Sequence, residues 1–150
     1  MGDSGYSFPK EERLHHRSLV EGVYRGGKSF YEFPFRVTWR ILKPEELLAT
    51  FRNKMPEGIG SLQMMVTVPK KKRKRAVDRV LLRRRIREAY RLQRLSLRDI
   101  VSNQAEIGTL SVAIVYIHDK NLSYRHIEEK LKNVIDRLNG LVLQKEQKDE

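Results

Sequence analysis

The sequence has no cysteine, a single tryptophan and only 19 acidic residues among 150. The missing thiols exclude a disulfide framework, a zinc knuckle and thiolate chemistry. A membrane-spanning helix needs about 20 consecutive apolar residues, and no run here comes near that length. No basic leader followed by an apolar stretch opens the chain. The start Met1-Gly2-Asp3-Ser4-Gly5-Tyr6 lacks the Ser or Thr at position 6 that an N-terminal acyl anchor favours. Base is as plentiful as acid is scarce: 31 Lys and Arg give a net charge of +12 and a pI near 10.1. That balance calls for a polyanionic partner, nucleic acid or an anionic surface. The length suits one domain with a modest core, and the composition suits a soluble intracellular chain with no membrane partner.

The charge is concentrated. From Lys70 to Arg94 the chain reads KKKRKRAVDRVLLRRRIREAYRLQR, thirteen Lys or Arg against Asp78 and Glu88, which leaves +11 of the net +12. Cations placed on phosphates release condensed counterions, so such a focus is an electrostatic footprint for nucleic acid. Leu82, Ile86 and Ala89 recur inside it at helical spacing. The segment therefore reads as a helix docked on a core, not as a loose tail.

Along the chain, residues 1–7 are expected to be a disordered segment, 8–142 one domain and 143–150 a polar tail that frays. Pro9 and Lys10-Glu11-Glu12 approach a first helix carrying Leu14, Leu19, Val20, Val23 and Tyr24 and stopping at Gly26-Gly27. A short strand falls near Phe30. Phe35, Val37, Trp39 and Ile41 then alternate with Arg36, Thr38 and Arg40, a half-buried strand with a basic open face. Leu62, Met64, Val66 and Val68 make another alternating run. The long connection between them, 43–60, has room for one or two helical turns around Glu45 to Arg52. Pro69 ends the second run, and the basic helix follows from about Ala76, extending through Leu95, Leu97, Ile100 and Val101 to Ser102 or Asn103. Leu110 to Ile117 is an internal strand because both its faces are apolar. Ser123 caps a last amphipathic helix with Ile127, Leu131, Val134, Ile135 and Leu138 on its inner face. The expectation is an α+β domain, a compact α-β-β-β-α-β-α sandwich of helices on a mixed four-stranded sheet.

Projected at about 100° per residue, Arg79, Arg83, Arg87, Arg91 and Arg94 fall within about one third of the basic helix. Arg84 borders that sector and Arg85 lies away from it, while Leu82, Ile86 and Ala89 occupy the neighbouring one. Guanidinium groups grip phosphate with paired donors and stack on exposed bases, which suits structured RNA. A merely solvated face held by pairs such as Arg84 with Glu88 is the blander alternative. Like charges stacked at i,i+4 repel, however, and need a reason to persist.

Val66-Thr67-Val68-Pro69-Lys70-Lys71, Lys74-Arg75-Ala76-Val77-Asp78-Arg79 and Arg83-Arg84-x-x-Arg87-Glu88-Ala89-Tyr90-Arg91 closely resemble the protein subunit of bacterial ribonuclease P. Phe8-Pro9-Lys10 with Arg13-Leu14 fits that family too, and the similarity spans about residues 8 to 138. The resemblance implies a left-handed βαβ crossover. It implies two partners, the ribonuclease P RNA subunit, which is itself the catalyst, and precursor tRNA, whose 5′ leader is cut off. It implies Mg2+ as the cofactor, held mainly by RNA and substrate phosphates. It implies a bacterial cytoplasmic location and no required protein partner. Carried over by position, RNA-subunit contacts fall on Lys70, Lys71, Lys74, Arg75, Arg79, Arg83, Arg84, Arg87 and Arg91. A cleft for the leader falls on Val20, Tyr24, Arg36, Thr38 and Arg40. The chain departs from the pattern where Val80 and Leu81 replace the family's usual Asn and frequent Arg, where Val20 replaces an aromatic, and in the length of the 43–60 connection.

Other readings are weaker. Pro69-Lys70-Lys71-Lys72-Arg73-Lys74 looks like a nuclear localisation signal, but here it is fixed between a strand and a core-facing helix. A protein-only nuclease would need positioned carboxylates for metal or general-base work. His15 and His16 cannot share a helix face, His118-Asp119 and His126 read as solvated, and Asp78 and Glu88 read as partners of arginines. No metal ligand and no catalytic residue is assigned to the protein. A non-catalytic ribosomal or chaperone-like RNA binder is the remaining alternative. It would need only the basic helix, whereas Tyr24 facing a basic strand makes a second groove suited to an unpaired strand.

Overall fold

The computed structural model describes residues 8–148, with side chains through 144; the expected disordered segment 1–7 lies outside the described residues. The chain forms β1 (Lys28–Glu32), β2 (Phe35–Leu42), β3 (Leu62–Thr67) and β4 (Thr109–Tyr116), with helices α1 (Arg17–Gly26), α2 (Pro44–Thr50), α3 (Ala76–Gln93), α4 (Leu95–Ser102) and α5 (Tyr124–Lys148). The strands form one mixed sheet in the order β1-β2-β4-β3, antiparallel except for the parallel β3–β4 pair. β4, apolar on both faces in sequence, is an inner strand and is buried almost throughout. The α+β class and the mixed four-stranded sheet are as the pattern predicts.

Period-two alternation sends alternate side chains to opposite faces. Phe35, Val37 and Trp39 of β2, Leu62, Met64 and Val66 of β3, and Leu110, Val112, Ile114 and Tyr116 of β4 share one face. They pack there with Leu82, Ile86, Ala89 and Tyr90 of α3, Leu97 and Val101 of α4 and the apolar stripe of α5. Each such side chain fully buried contributes about 1.5–3 kcal/mol. On the other face α1 and α2 cover only part of the sheet, through Leu19, Val23 and Leu47 against Leu42 and Ala113. The helices are thus unevenly shared. One face is sealed and the other is left half open.

Four local expectations are corrected. Residues 10–12 form only a turn of 3-10 helix. Arg13 then bridges to Met64 at the edge of β3, and Leu14 donates its N–H to the Met64 carbonyl, so Leu14 is buried off the helix and α1 begins at Arg17. The helical run does reach Ser102, but it is interrupted at Arg94, and the second piece, α4, buries Leu97 and Val101 in the core. The last helix continues to Lys148, through residues read as tail. The connection after β2 does hold a short helix, α2, whose Lys43 N–H donates to the Glu46 carboxylate at 2.9 Å. Ser123 caps α5, its hydroxyl accepting the His126 N–H.

Candidate nucleic-acid interface

Three arginines of the basic run, Arg94 at the end of α3 and Arg79 and Arg85 within it, are turned inward. Arg94 is fully buried, with Nε donating to Glu12 Oε1 at 2.7 Å and Nη2 to Glu12 Oε2 at 3.1 Å. It belongs to the core and not, as its helical phase implied, to the basic stripe. The bidentate pair ties the end of α3 to the 3-10 turn near the N-terminus. Burial beside Glu12 also pushes the Tyr90 hydroxyl far above the usual tyrosine range, burial being the larger cause. Arg79 turns back on the basic loop, donating to the carbonyls of Arg73 and Lys74. Arg85 donates to the Leu122 carbonyl. These three are structural ties.

The outward sector carries Val80, Arg84 and Arg87, all exposed, with Arg83 and Arg91 half-buried at its borders. Arg83, Arg84 and Arg87 make no ion pair with the described residues. Glu88 pairs with Arg91 at 2.6 Å and not with Arg84, and Arg91's hydrogen bond is the main cause holding the Glu88 carboxyl below its usual range. Val80 is 46% exposed, as its helical phase predicts. Beside this sector Lys70, Lys71, Lys74 and Arg75 are all exposed.

The basic loop is anchored. Lys72 and Arg73 donate backbone N–H groups to the Pro69 carbonyl. The Arg73 side chain bonds the Asp119 carbonyl and the Asp78 carboxylate. Asn121 donates to Asp78 at 3.0 Å, and that bond, ahead of Arg73, holds the Asp78 carboxyl below its usual range. The lysines therefore project from an anchored loop next to the α3 face, and an anchored loop has less freedom to lose to a ligand.

The cleft on the open sheet face is only partly assembled as expected. α1 begins beside β3 and ends at β1, where Gly27 lies against the Trp39 carbonyl and the Thr38 methyl. It crosses the sheet, and Arg40 fits under it: a Cβ at Gly22 would stand 2.0 Å from the Arg40 guanidinium. Val20 and Tyr24 project from the opposite flank of α1, about 160° around the helix from Gly22 in the case of Tyr24. Arg40 and Tyr24 thus do not line one groove. Thr38 is buried, its hydroxyl 2.9 Å from that of Ser29. Val20 is half-buried against the small cluster under α1. Tyr24 and Arg36 remain exposed.

Strand register supplies a residue that sequence reading missed. Tyr31 lies directly opposite Arg36, and Arg36 in turn opposite Val115, which pairs with Thr67. These four share the open face, and Tyr31 is 64% exposed. The signal was present, since Tyr31 follows the core residue Phe30 in an alternating strand, but only the hairpin register places it beside Arg36.

A sequence model of the ribonuclease P family matches residues 8–139. A ribonuclease P protein component from Porphyromonas gingivalis strain W83 is 28% identical over 137 residues, spanning 91% of this chain and 90% of the relative. Its counterpart from strain ATCC 33277 is 30% identical over the same shares of both chains. Among solved structures, the RNase P protein of Staphylococcus aureus has a TM-score of 0.56 at 17% identity, covering 83% of this chain and 93% of that one. The RNase P protein of Thermotoga maritima has a TM-score of 0.56 at 19% identity, covering 84% and 96%. The two structures share the fold; the sequence match, nearly end to end, goes further, and the chain belongs to the ribonuclease P family as its protein component.

Proposed function

We propose that the chain binds the ribonuclease P RNA subunit through the α3 face and the anchored basic loop, and the 5′ leader of precursor tRNA through the open sheet face. The observation that carries this is the separation of two surfaces. Arg83, Arg84 and Arg87, with no ion pair among the described residues, stand on α3, against one face of the sheet. Tyr31 and Arg36 stand side by side on the other face, and Tyr24 is exposed on α1, the helix that packs on that face. The first surface offers guanidinium groups in the density that structured RNA accepts. The second offers aromatic platforms beside a cation, the combination that holds an unpaired strand. A ribosomal or chaperone-like RNA binder would have no use for the second.

Catalysis on this reading belongs to the RNA subunit. The protein contributes affinity and charge neutralisation in the bacterial cytoplasm. Mg2+ demands oxygen ligands in near-octahedral geometry. The carboxylates nearest the basic surface, Asp78 and Glu88, are engaged by Arg73, Asn121 and Arg91, and the described residues contain no group of three or more His, Asp or Glu suited to a metal ion. This chain's residues do not fit the ion, which is assigned to RNA and substrate phosphates. Among the described residues no helix is long and apolar enough to cross a membrane. The test is reconstitution with the cognate RNA at low magnesium. Restored 5′ cleavage of precursor tRNA is expected, and a chain that neither binds that RNA nor restores cleavage refutes the reading.

A further inference from the structure

A cleft of about 380 Å³ opens at the outer edge of β3, lined by Phe8, Arg13, Leu14, His15, Met64, Met65, Val66 and Arg87. Neither Tyr31 nor Arg36 of the open sheet face lines it. Its composition is unusual for a surface depression. The floor is apolar, from Leu14, Met64 and Met65. One wall is the Phe8 ring, fixed edge-on against buried Tyr90 with centroids 5.7 Å apart. The rim carries the guanidinium groups of Arg13 and Arg87 with the His15 ring beside them, and none of the lining residues is acidic. Arg13 is held over the Phe8 ring at 5.5 Å and donates to the Phe8 carbonyl at 3.2 Å, which keeps its guanidinium at the mouth.

The edge of β3 adds a reading element. Leu14 N–H takes the Met64 carbonyl on this edge. Outward-pointing backbone groups recur every second residue of a strand, so Val66 presents the next N–H and C=O there. β3 ends the sheet, and no described residue bonds to that pair. A donor and an acceptor side by side above an apolar floor match the edge of a nucleobase. The cations at the mouth match its phosphate.

We propose that this cleft takes one unpaired nucleotide of the RNA that covers α3, its base against Phe8, Leu14 and the β3 edge and its phosphate on Arg13 and Arg87. The proposal rests on the RNA-binding reading above and deepens it. Arg87 connects the two, because it belongs both to the exposed α3 face and to the rim of the cleft. The volume accommodates one nucleoside, and the strand-edge donor and acceptor are open only to a base whose own edge is unpaired, so the occupant is flipped out or lies in a single-stranded segment.

Amide resonances of the full chain, titrated with adenosine 5′-monophosphate, uridine 5′-monophosphate and inorganic phosphate, test the occupant directly. The nucleotides should shift Phe8, Leu14, His15 and Val66 together at millimolar concentration, while phosphate alone shifts only Arg13 and Arg87. Phosphate reproducing the whole set overturns the proposal. So do shifts that appear only after deletion of residues 2–7, since the cleft would then belong to the chain's own N-terminus. In the complex, Phe8→Ala should weaken binding of the RNA subunit on the order of ten-fold, by loss of one base–aromatic contact. Phe8→Trp should restore it, and the salt dependence should not change. Unchanged affinity of folded Phe8→Ala for an RNA subunit that wild type binds refutes the cleft alone; no binding by any form refutes the RNA reading itself.

Discussion

Arg87 and Arg94 stand two helical turns apart in one basic repeat, and their fates are opposite. Arg87 is exposed, with no ion pair among the described residues, while Arg94 is fully buried in a bidentate pair with Glu12. Sequence phase alone puts both on one stripe. The difference comes from the break at Arg94. There the helix is interrupted, and the chain's N-terminal turn, 82 residues away in sequence, closes over the side chain. An arginine repeat therefore mixes ties that hold the fold with contacts left for a partner, and mutation should separate the two.

The largest effect belongs to the buried end. Arg94→Met leaves the Glu12 carboxylate buried without its partner, a cost of about 3–5 kcal/mol. For a chain of this size that lowers the melting temperature by roughly 10 °C. Below the transition, affinity for the RNA subunit should be almost unchanged. Adding Glu12→Leu removes both charges and should recover much of the loss, because well-packed apolar replacements of buried ion pairs are often neutral. Calorimetry of the single and double variants checks both statements. A single variant as stable as wild type would place Glu12 in water.

Arg83→Ala with Arg87→Ala should do the reverse. Melting should hardly move, since neither side chain belongs to the core. Binding of the RNA subunit should weaken, and the slope of log affinity against log salt should flatten by about 1 to 2 units for two lost phosphate contacts. An unchanged slope would show that this part of α3 does not touch phosphate.

The open sheet face gives a smaller, substrate-selective effect. Tyr24→Ala with Arg36→Ala should weaken leader-bearing precursor more than mature tRNA, by about 1–3 kcal/mol for one lost stacking platform. Arg40→Ala should show no such selectivity, because its guanidinium lies beneath α1 at Gly22 and Gly26. Equal loss on both substrates from the first variant would mean that this face does not hold the leader.

Periodicity made the sheet, the core stripe of α3 and the exposure of Val80 legible, because those follow from local spacing and burial. Ser123 and the helix after it were legible from capping chemistry. What escaped depends on contacts distant in sequence. The Glu12–Arg94 pair, the bridge of Arg13 to Met64 and the register that sets Tyr31 beside Arg36 all require the folded chain. Arg79 escaped for another reason: helical phase put it in the basic stripe and gave no sign of the loop carbonyls of Arg73 and Lys74 within its reach. The glycines of α1 were read only as a stop at Gly26-Gly27, although Gly22 and Gly26 also leave the space that takes Arg40 away from Tyr24.

The smallest predicted effect concerns the neighbour of the free arginines that carries no charge. Val80 is exposed on the sector shared by Arg84 and Arg87, one turn before Arg83 and Arg84, and no part of it reaches the core clusters. A side chain there meets whatever covers α3. Asn at this position would add an amide donor and acceptor able to hold a phosphate oxygen or a bridging water. Val80→Asn should leave melting nearly unchanged and tighten the RNA complex, or lower its magnesium requirement, by one hydrogen bond, roughly 0.5–1.5 kcal/mol. Titration of the RNA subunit at fixed salt, with and without the substitution, reads the change. A marked loss of affinity would instead show that Val80 makes a dry contact with sugar or base in its own RNA. Arg87 and Val80 would then divide the same surface between charge and shape, and the sharp contrast with Arg94 would extend to apolar side chains as well.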